Sequence, residues 1–249
     1  MNNPIYVPKG RAKEYGDYAL NIYTGCPHRC WYCFAPGVLR KDKEQFHSDV
    51  QPRDGIVEAV EKQLTSGGIK GKLIHLCFTC DPYPRGYDTS VTREIIRLIK
   101  ASGNHVQILT KGNGSRDIDL LDCNDWYGVT ITGDVFDQPK TEPGAESIIN
   151  RMRGLVLAKN AGVKTWISYE PVLNAKAVLR QLYEWKPMLD KVKIGKLNYH
   201  QSDIDWNWFG HEAEYICQKV GHEYYIKDDL RAEMNKQPAA PQVEGEEAR

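Results

Sequence analysis

The chain has 249 residues, 41% hydrophobic and 27% charged, with 33 Lys plus Arg balanced by 33 Asp plus Glu. That profile fits one well-buried globular domain, offers no run near the ~18 apolar residues of a membrane span, and carries no overall commitment to nucleic acid, whose binding rests on phosphate neutralisation. Seven cysteines, an odd number, follow an N-terminus (Met1-Asn2-Asn3-Pro4) that lacks a charged-then-apolar signal; this argues against a disulfide framework and points to a reducing cytoplasm.

In chain order, residues 1–16 read as an irregular lead-in punctuated by Pro4, Pro8, Gly10 and Gly16. Tyr18 to Tyr23 reads as a strand that delivers the loop Gly25 to Phe34. Residues 35–52, with Arg40-Lys41-Asp42-Lys43-Glu44, read as a solvated connection. Asp54 is placed to cap a helix with Ile56, Val57, Val60 and Leu64 on one face, stopped by Gly67-Gly68. Leu73 to Phe78 reads as a second strand. Val91, Ile95, Leu98 and Ile99 recur at helical spacing before Gly103. His105 to Thr110 and Tyr127 to Thr132 are the third and fourth strands, with a short acidic helix, Asp117 to Asp122, between them. A helix over Ala145 to Asn160 precedes the strand Val163 to Tyr169. Ala175 to Trp185 is helical, Val192 to Leu197 is a sixth strand, and Asp205 to Val220 a last helix. Glu223 to Ile226 is strand-like but weak, and residues 237–249 lack apolar periodicity and read as a disordered tail. Alternating strands and helices with short links call for a parallel sheet, open or closed into a barrel.

Cys26, Cys30 and Cys33 lie in a C-x3-C-x2-C loop straight after the first strand. Gly25 permits a tight turn and Pro27 presets φ within it. A four-iron cluster normally takes four cysteines, so a loop with three leaves one iron open for chemistry. A zinc site completed by His28 or by a distant residue is the alternative for these residues. Ligands of parallel α/β folds sit beyond the carboxyl ends of the strands. The later strand ends supply Thr79, Cys80 and Asp81, then Thr110 and Lys111, then Thr130, Thr132 and Asp134, then Ser168 and Glu170, and finally Lys196 and Asn198. Cys77 and Cys80, if on an extended strand, face opposite sides; Cys123 and Cys217 read as core residues, and Trp206, Trp208 and Phe209 as core packing or a lid.

The cysteine motif with Tyr32 before its last cysteine resembles that of the radical S-adenosylmethionine (SAM) enzymes. Further segments sharpen the likeness: Thr79-Cys80-Asp81-Pro82-Tyr83, Leu109-Thr110-Lys111, Arg116 to Leu121, Glu142-Pro143-Gly144-Ala145, Ser168 to Val172 and Lys193 to Asn198. Together they resemble the spore photoproduct lyase-like (DNA repair photolyase-like) branch over roughly residues 17–200. The resemblance implies a partial (β/α)6 TIM-like barrel as the core. Residues 201–236 would then form a helix and short strand packed upon it.

By resemblance, Cys26, Cys30 and Cys33 hold a [4Fe–4S] cluster whose open iron takes the amino and carboxylate groups of SAM. Thr79-Cys80-Asp81 would meet the methionyl amino group, Lys111 the carboxylate or ribose, Thr130 and Thr132 the ribose, and Tyr32 the adenine, with Ser168 and Glu170 lining the same pocket. The implied reaction is reductive cleavage of SAM to methionine and a 5′-deoxyadenosyl radical that takes hydrogen from a substrate, with flavodoxin or ferredoxin as electron donor. Trp31, Tyr32 and Phe34 would limit water near the cluster. Lesion-repair members use a cysteine hydrogen donor after the second strand and a tyrosine pair around the third cluster cysteine. Here Phe78 holds the donor position and Phe34 replaces one tyrosine, which puts thymine-dimer repair in doubt. Cys80 is the substitute donor if alternation places it on the face of Phe78, and a nucleic-acid lesion stays one of the candidate substrates. Two other classes stand beside this reading: an iron–sulfur electron-transfer protein that does not cleave SAM, and a zinc-stabilised nucleic-acid-binding module.

Overall fold

The computed structural model describes residues 3–236; the tail read as disordered, 237–249, lies outside them. Seven strands form one wholly parallel sheet in sequence order: β1 (Tyr18–Leu20), β2 (Leu73–Leu76), β3 (His105–Thr110), β4 (Trp126–Thr130), β5 (Lys164–Tyr169), β6 (Lys191–Ile194) and β7 (Glu223–Ile226). The sheet is open, since β1 and β7 are its edges. The weak seventh strand is therefore real, in register with β6 from Lys191↔Glu223 to Ile194↔Ile226. The six expected core strands are present, and the short strand expected after them extends the sheet by one.

The crossovers carry helices α1 (Ala35–Leu39), α2 (Lys43–Ser48), α3 (Ile56–Thr65), α4 (Ser90–Ala101), α5 (Gln138–Thr141), α6 (Ile148–Asn160), α7 (Ala175–Glu184) and α8 (Trp206–Val220), and α9 (Asp228–Met234) follows β7. The connection from β3 to β4 holds only a 3-10 turn, Ser115–Leu120. Most strand residues are buried regardless of alternation, as a parallel sheet covered on both faces requires. Ile74, Leu76, Val106, Ile108, Val129, Ile167, Val192 and Ile194 join the helix residues Val60, Ile95, Ile99, Leu155, Val178 and Phe209 in one core.

Local caps differ from expectation in one place. The Asp205 side chain caps α8 through Trp208 N–H at 3.0 Å, and Ser147 caps α6 through Asn150 N–H at 3.2 Å. Asp54 does not cap α3; Gly55 holds that position in a left-handed conformation. Residues 35–48 are helical rather than a plain connection. Phe209 is buried while Trp208 is exposed, and Cys217 is buried while Cys123 is exposed, so the core reading of Cys123 is corrected.

The lead-in is built into the fold. Tyr6 bridges Ala19 antiparallel on the outer edge of β1. Glu14 accepts from Asp228 N–H (2.9 Å) and Tyr225 Oη (3.1 Å) and pairs with Lys227 Nζ (3.0 Å). The segment thus joins the two edges of the sheet and puts Tyr15 among His75, Phe78 and Trp166.

Candidate active site

The cysteine loop is clamped from two sides. Cys26 N–H donates to Phe46 O on α2 (3.2 Å), and His47 Nδ1 lies 2.7 Å from Cys26 O. On the other side Trp31 N–H donates to Thr141 O (3.2 Å) and Gly144 N–H to His28 O (3.0 Å). Two glycines make these approaches feasible. A Cβ on Gly25 would sit 2.2 Å from Phe46 O, and one on Gly144 would sit 2.1 Å from Pro27 O. Close approach, rather than a special turn, is what Gly25 provides.

Cys30, Tyr32 and Leu197 form a small buried cluster, with Cys33, Leu173 and Trp206 packed against it. Burial pushes all three loop thiols up, Cys30 to about 12, so in these dry surroundings the thiolates need a positive partner. Trp31 and Phe34 are 40% and 49% exposed, so of the three aromatics only Tyr32 shields the loop. Trp31 instead meets His200 edge-on at 4.7 Å.

Asp81, at the end of β2, organises the ground beneath the loop. One carboxylate oxygen accepts from Thr110 Oγ1 (2.5 Å) and Tyr83 N–H (2.8 Å); the other accepts from Lys111 N–H (2.8 Å) and lies 3.5 Å from His28 Nδ1. His28 is buried, faces Asp81 and accepts at Nε2 from Arg85 N–H at 3.3 Å. Burial, set against the attraction of Asp81, lowers its affinity for a proton.

From the sequence Glu142 stood only within a motif, with no role, and Arg151 was not singled out. Both are fully buried, paired Nη2 to Oε2 at 2.6 Å. Glu142 also accepts a short hydrogen bond from Tyr32 Oη and one from Thr132 Oγ1 at 3.4 Å, while Arg151 Nη1 donates to Thr130 O at 2.9 Å. Burial opposes ionisation of Glu142, but Arg151 and Lys111 outweigh it and hold its carboxyl below the usual range. The signal was an arginine on the inner face of α6 between Ile148 and Leu155, where the helical stripe calls for an apolar residue.

Lys111 Nζ lies 5.5 Å from the centre of the Tyr32 ring. Burial works against its charge, yet the nearby Cys30 and Glu142 raise its affinity for a proton. Among the described residues no carboxylate stands within ion-pair distance of that ammonium. The Thr79 hydroxyl is likewise buried without a hydrogen-bond partner.

Other strand-end residues have partners elsewhere. Ser168 Oγ is 3.2 Å from Tyr15 Oη; Glu170 accepts a short hydrogen bond from Tyr15 and pairs with Lys227 Nζ at 2.9 Å. Lys196 binds Glu233 and Asn198 Nδ2 binds Asp229 (2.6 Å), both on α9. Asp134 pairs with Arg180 at 3.1 Å. Continuing the strand-end rule to β7 would have found Lys227.

The premise that placed Cys80 beside Phe78 fails. Strand β2 ends at Leu76, and Cys77 is left-handed with φ 69°. Phe78 stacks on His75 at 4.3 Å between ring centres, whereas Cys80 Sγ accepts from Tyr23 N–H at 3.4 Å.

The donor set suits a cluster better than one zinc ion. Tetrahedral Zn–S bonds of about 2.3 Å put sulfurs about 3.8 Å apart. Among the described residues, the group of three potential ligand atoms within 4.8 Å of one another is His105, Asp122 and Asp125, not the cysteines. Asp122 and Asp125 are already bridged by Lys100, at 2.7 and 2.5 Å.

No protein-family model matches the chain. An uncharacterized protein of Acidianus two-tailed virus is 28% identical, covering 93% of this chain and 81% of that one. One from Methanocaldococcus jannaschii is 26% identical over 70% of each. One from Mycobacterium tuberculosis is 26% identical over 67% of this chain and 52% of its own length, so the chain spans about half of that relative. Among solved structures, a spore photoproduct lyase variant with bound AdoMet and dinucleoside spore photoproduct superposes with a TM-score of 0.66 at 14% identity, covering 89% of this chain and 79% of that one. Streptococcus suis SuiB bound to S-adenosylmethionine gives 0.61 at 9% identity, covering 84% and 46%. These neighbours are radical SAM enzymes, and among the described residues no helix is long and apolar enough to cross a membrane. With its open, sequence-ordered parallel sheet and its cysteine loop beyond β1, the chain shares the fold of spore photoproduct lyase.

Proposed function

We propose that the chain is a radical SAM enzyme of the reducing cytoplasm, with Cys26, Cys30 and Cys33 holding a [4Fe–4S] cluster. The observation that carries this reading is the half-buried Lys111 ammonium, without a carboxylate partner among the described residues, beside a three-thiol loop on the fold shared with SAM-binding enzymes. When bound, the cluster supplies the electron that splits SAM into methionine and a 5′-deoxyadenosyl radical able to take hydrogen from a substrate.

The chain's own residues bind, orient and exclude water. Lys111 receives the SAM carboxylate. Asp81 fixes the backbone of Lys111, and the Glu142–Arg151 pair holds Tyr32 by its hydroxyl so that the ring covers Cys30 and presents a face to adenine. Thr79, Cys80 and Asp81 border the methionyl amino group, and Thr130 and Thr132 the ribose. Ser168 and Glu170 contribute from the Tyr15 side. The apolar cluster of Cys30, Tyr32 and Leu197 keeps the loop dry, which favours a low cluster potential and preserves a radical. Flavodoxin or ferredoxin would deliver the electron. A nucleic-acid lesion is one substrate class to test; dinucleoside spore photoproduct is bound by a neighbour of this fold.

Anaerobic reconstitution, reduction in the presence of SAM and quantification of 5′-deoxyadenosine test the assignment. The wild type is expected to form it and Cys30→Ala to lose it along with the iron–sulfur absorption. Cluster absorption with no 5′-deoxyadenosine above the variant would leave an electron-transfer protein; zinc without iron would overturn the cluster itself.

A further inference from the structure

Two cysteines outside the cluster loop, Cys77 and Cys80, lie three residues apart on an unusual turn. Cys77 leaves β2 in the left-handed region, φ 69°, which L side chains rarely adopt. Its N–H donates to Leu20 O at 2.8 Å, and Asn21 Oδ1 then takes both Phe78 N–H (2.8 Å) and Thr79 N–H (2.9 Å). This pinned turn cancels the alternation of an extended strand. The Cys80 sulfur, three residues further along the same turn, accepts from Tyr23 N–H at 3.4 Å. The two residues are not equivalent: Cys77 is 6% exposed and Cys80 is partly open to solvent.

We propose that Cys77 and Cys80 are a thiol–disulfide exchange site, distinct from the cluster loop, that reacts with small-molecule disulfides of the glutathione class. Cys80 is the attacking thiol. Its Sγ bonds to one sulfur of the incoming disulfide, the external S–S bond breaks, and one thiolate leaves. Cys77, giving its proton to that thiolate, then attacks Sγ of Cys80 and releases the second external thiol. The pair loses two electrons and two protons, and one external disulfide becomes two thiols. The surroundings support this division of labour. Burial opposes a thiolate at Cys80, but the Cys77 thiol, the Tyr23 N–H and the Arg53 guanidinium outweigh it, whereas burial leaves Cys77 protonated. Closure ties down the turn that leads into Asp81, and so into the backbone of Lys111.

The test is anaerobic equilibration of the intact protein with mixtures of reduced and oxidised glutathione, followed by acid quenching, alkylation and peptide mass spectrometry. Tryptic peptide 73–85 contains Cys77 and Cys80 and no other cysteine, and exposed Cys123 serves as the internal control. The peptide is expected to lose two hydrogens as the mixture becomes oxidising. Cys77→Ser should leave glutathione attached to Cys80, and Cys80→Ser should leave the peptide unmodified. A wild-type peptide that stays a dithiol while Cys123 acquires glutathione overturns the proposal, as does separate glutathione attachment at both positions. The wild-type measurement decides the matter alone if a variant does not fold.

Discussion

Two buried charge networks lie inside this molecule, and they are finished to different degrees. Around Tyr15, Lys227 meets two carboxylates, Glu14 and Glu170, and the phenol is bonded to both Ser168 and Glu170. Both carboxylates and the phenol of that network are partnered. Around Tyr32, the Glu142–Arg151 pair is equally complete, but Lys111 lies over the ring with its ammonium unmatched by any carboxylate among the described residues. A charge held dry without a counter-ion is costly unless something else supplies the opposite sign. The contrast separates a brace from a receptor.

Breaking the pair that serves both purposes has the largest expected effect. Glu142→Ala strands a buried guanidinium and should lower unfolding stability by about 3–5 kcal/mol, read from urea denaturation. If Glu142 were merely a ligand contact, stability would hold and only SAM affinity would fall.

The Tyr15 network is probed through Lys193, whose ammonium donates to Glu14 O and lies 4.2 Å from the Tyr15 ring centre. Burial first, then Lys227 and Lys191, push its pKa down to about 8 from 10.5. The unfolded chain therefore holds more protons than the folded one between those values, and this residue's contribution to stability rises with pH through the window. Full passage is worth about 3 kcal/mol, less whatever the ring contact returns to the charged form. In Lys193→Met that rise should vanish, and parallel stability profiles for the two proteins from pH 8 to 10.5 would refute it.

The smallest effect should come from Lys111→Met, which removes the unmatched cation and leaves the surrounding bonds in place. SAM affinity measured calorimetrically on the reconstituted protein is expected to fall about tenfold, or about 1.4 kcal/mol, with unfolding stability unchanged or higher. A large loss of stability would show that Lys111 is part of the brace after all.

Much of this was legible from the sequence where parallel-sheet logic applies. Strand ends at Asp81, Lys111, Thr132 and Glu170 were readable because a buried parallel strand fixes both period and direction. Tyr15 escaped notice because it sits in a segment without period, and only the folded sheet shows what the segment packs against. Glu142 was visible as part of a motif but without a role, since its partner Arg151 is on a different element. Cys80 was misplaced for a local reason: one left-handed residue at Cys77 resets which way every following side chain points.

The clasp between Glu14 and the last strand also bears on synthesis. A nascent chain makes Glu14 first and Asp228, whose N–H it accepts, 214 residues later. Until then Tyr15 lacks the Lys227 ammonium that lies 4.5 Å from its ring centre. The clasp therefore closes only when β7 and the start of α9 have been made, so the N-terminal segment is docked last although it is synthesised first.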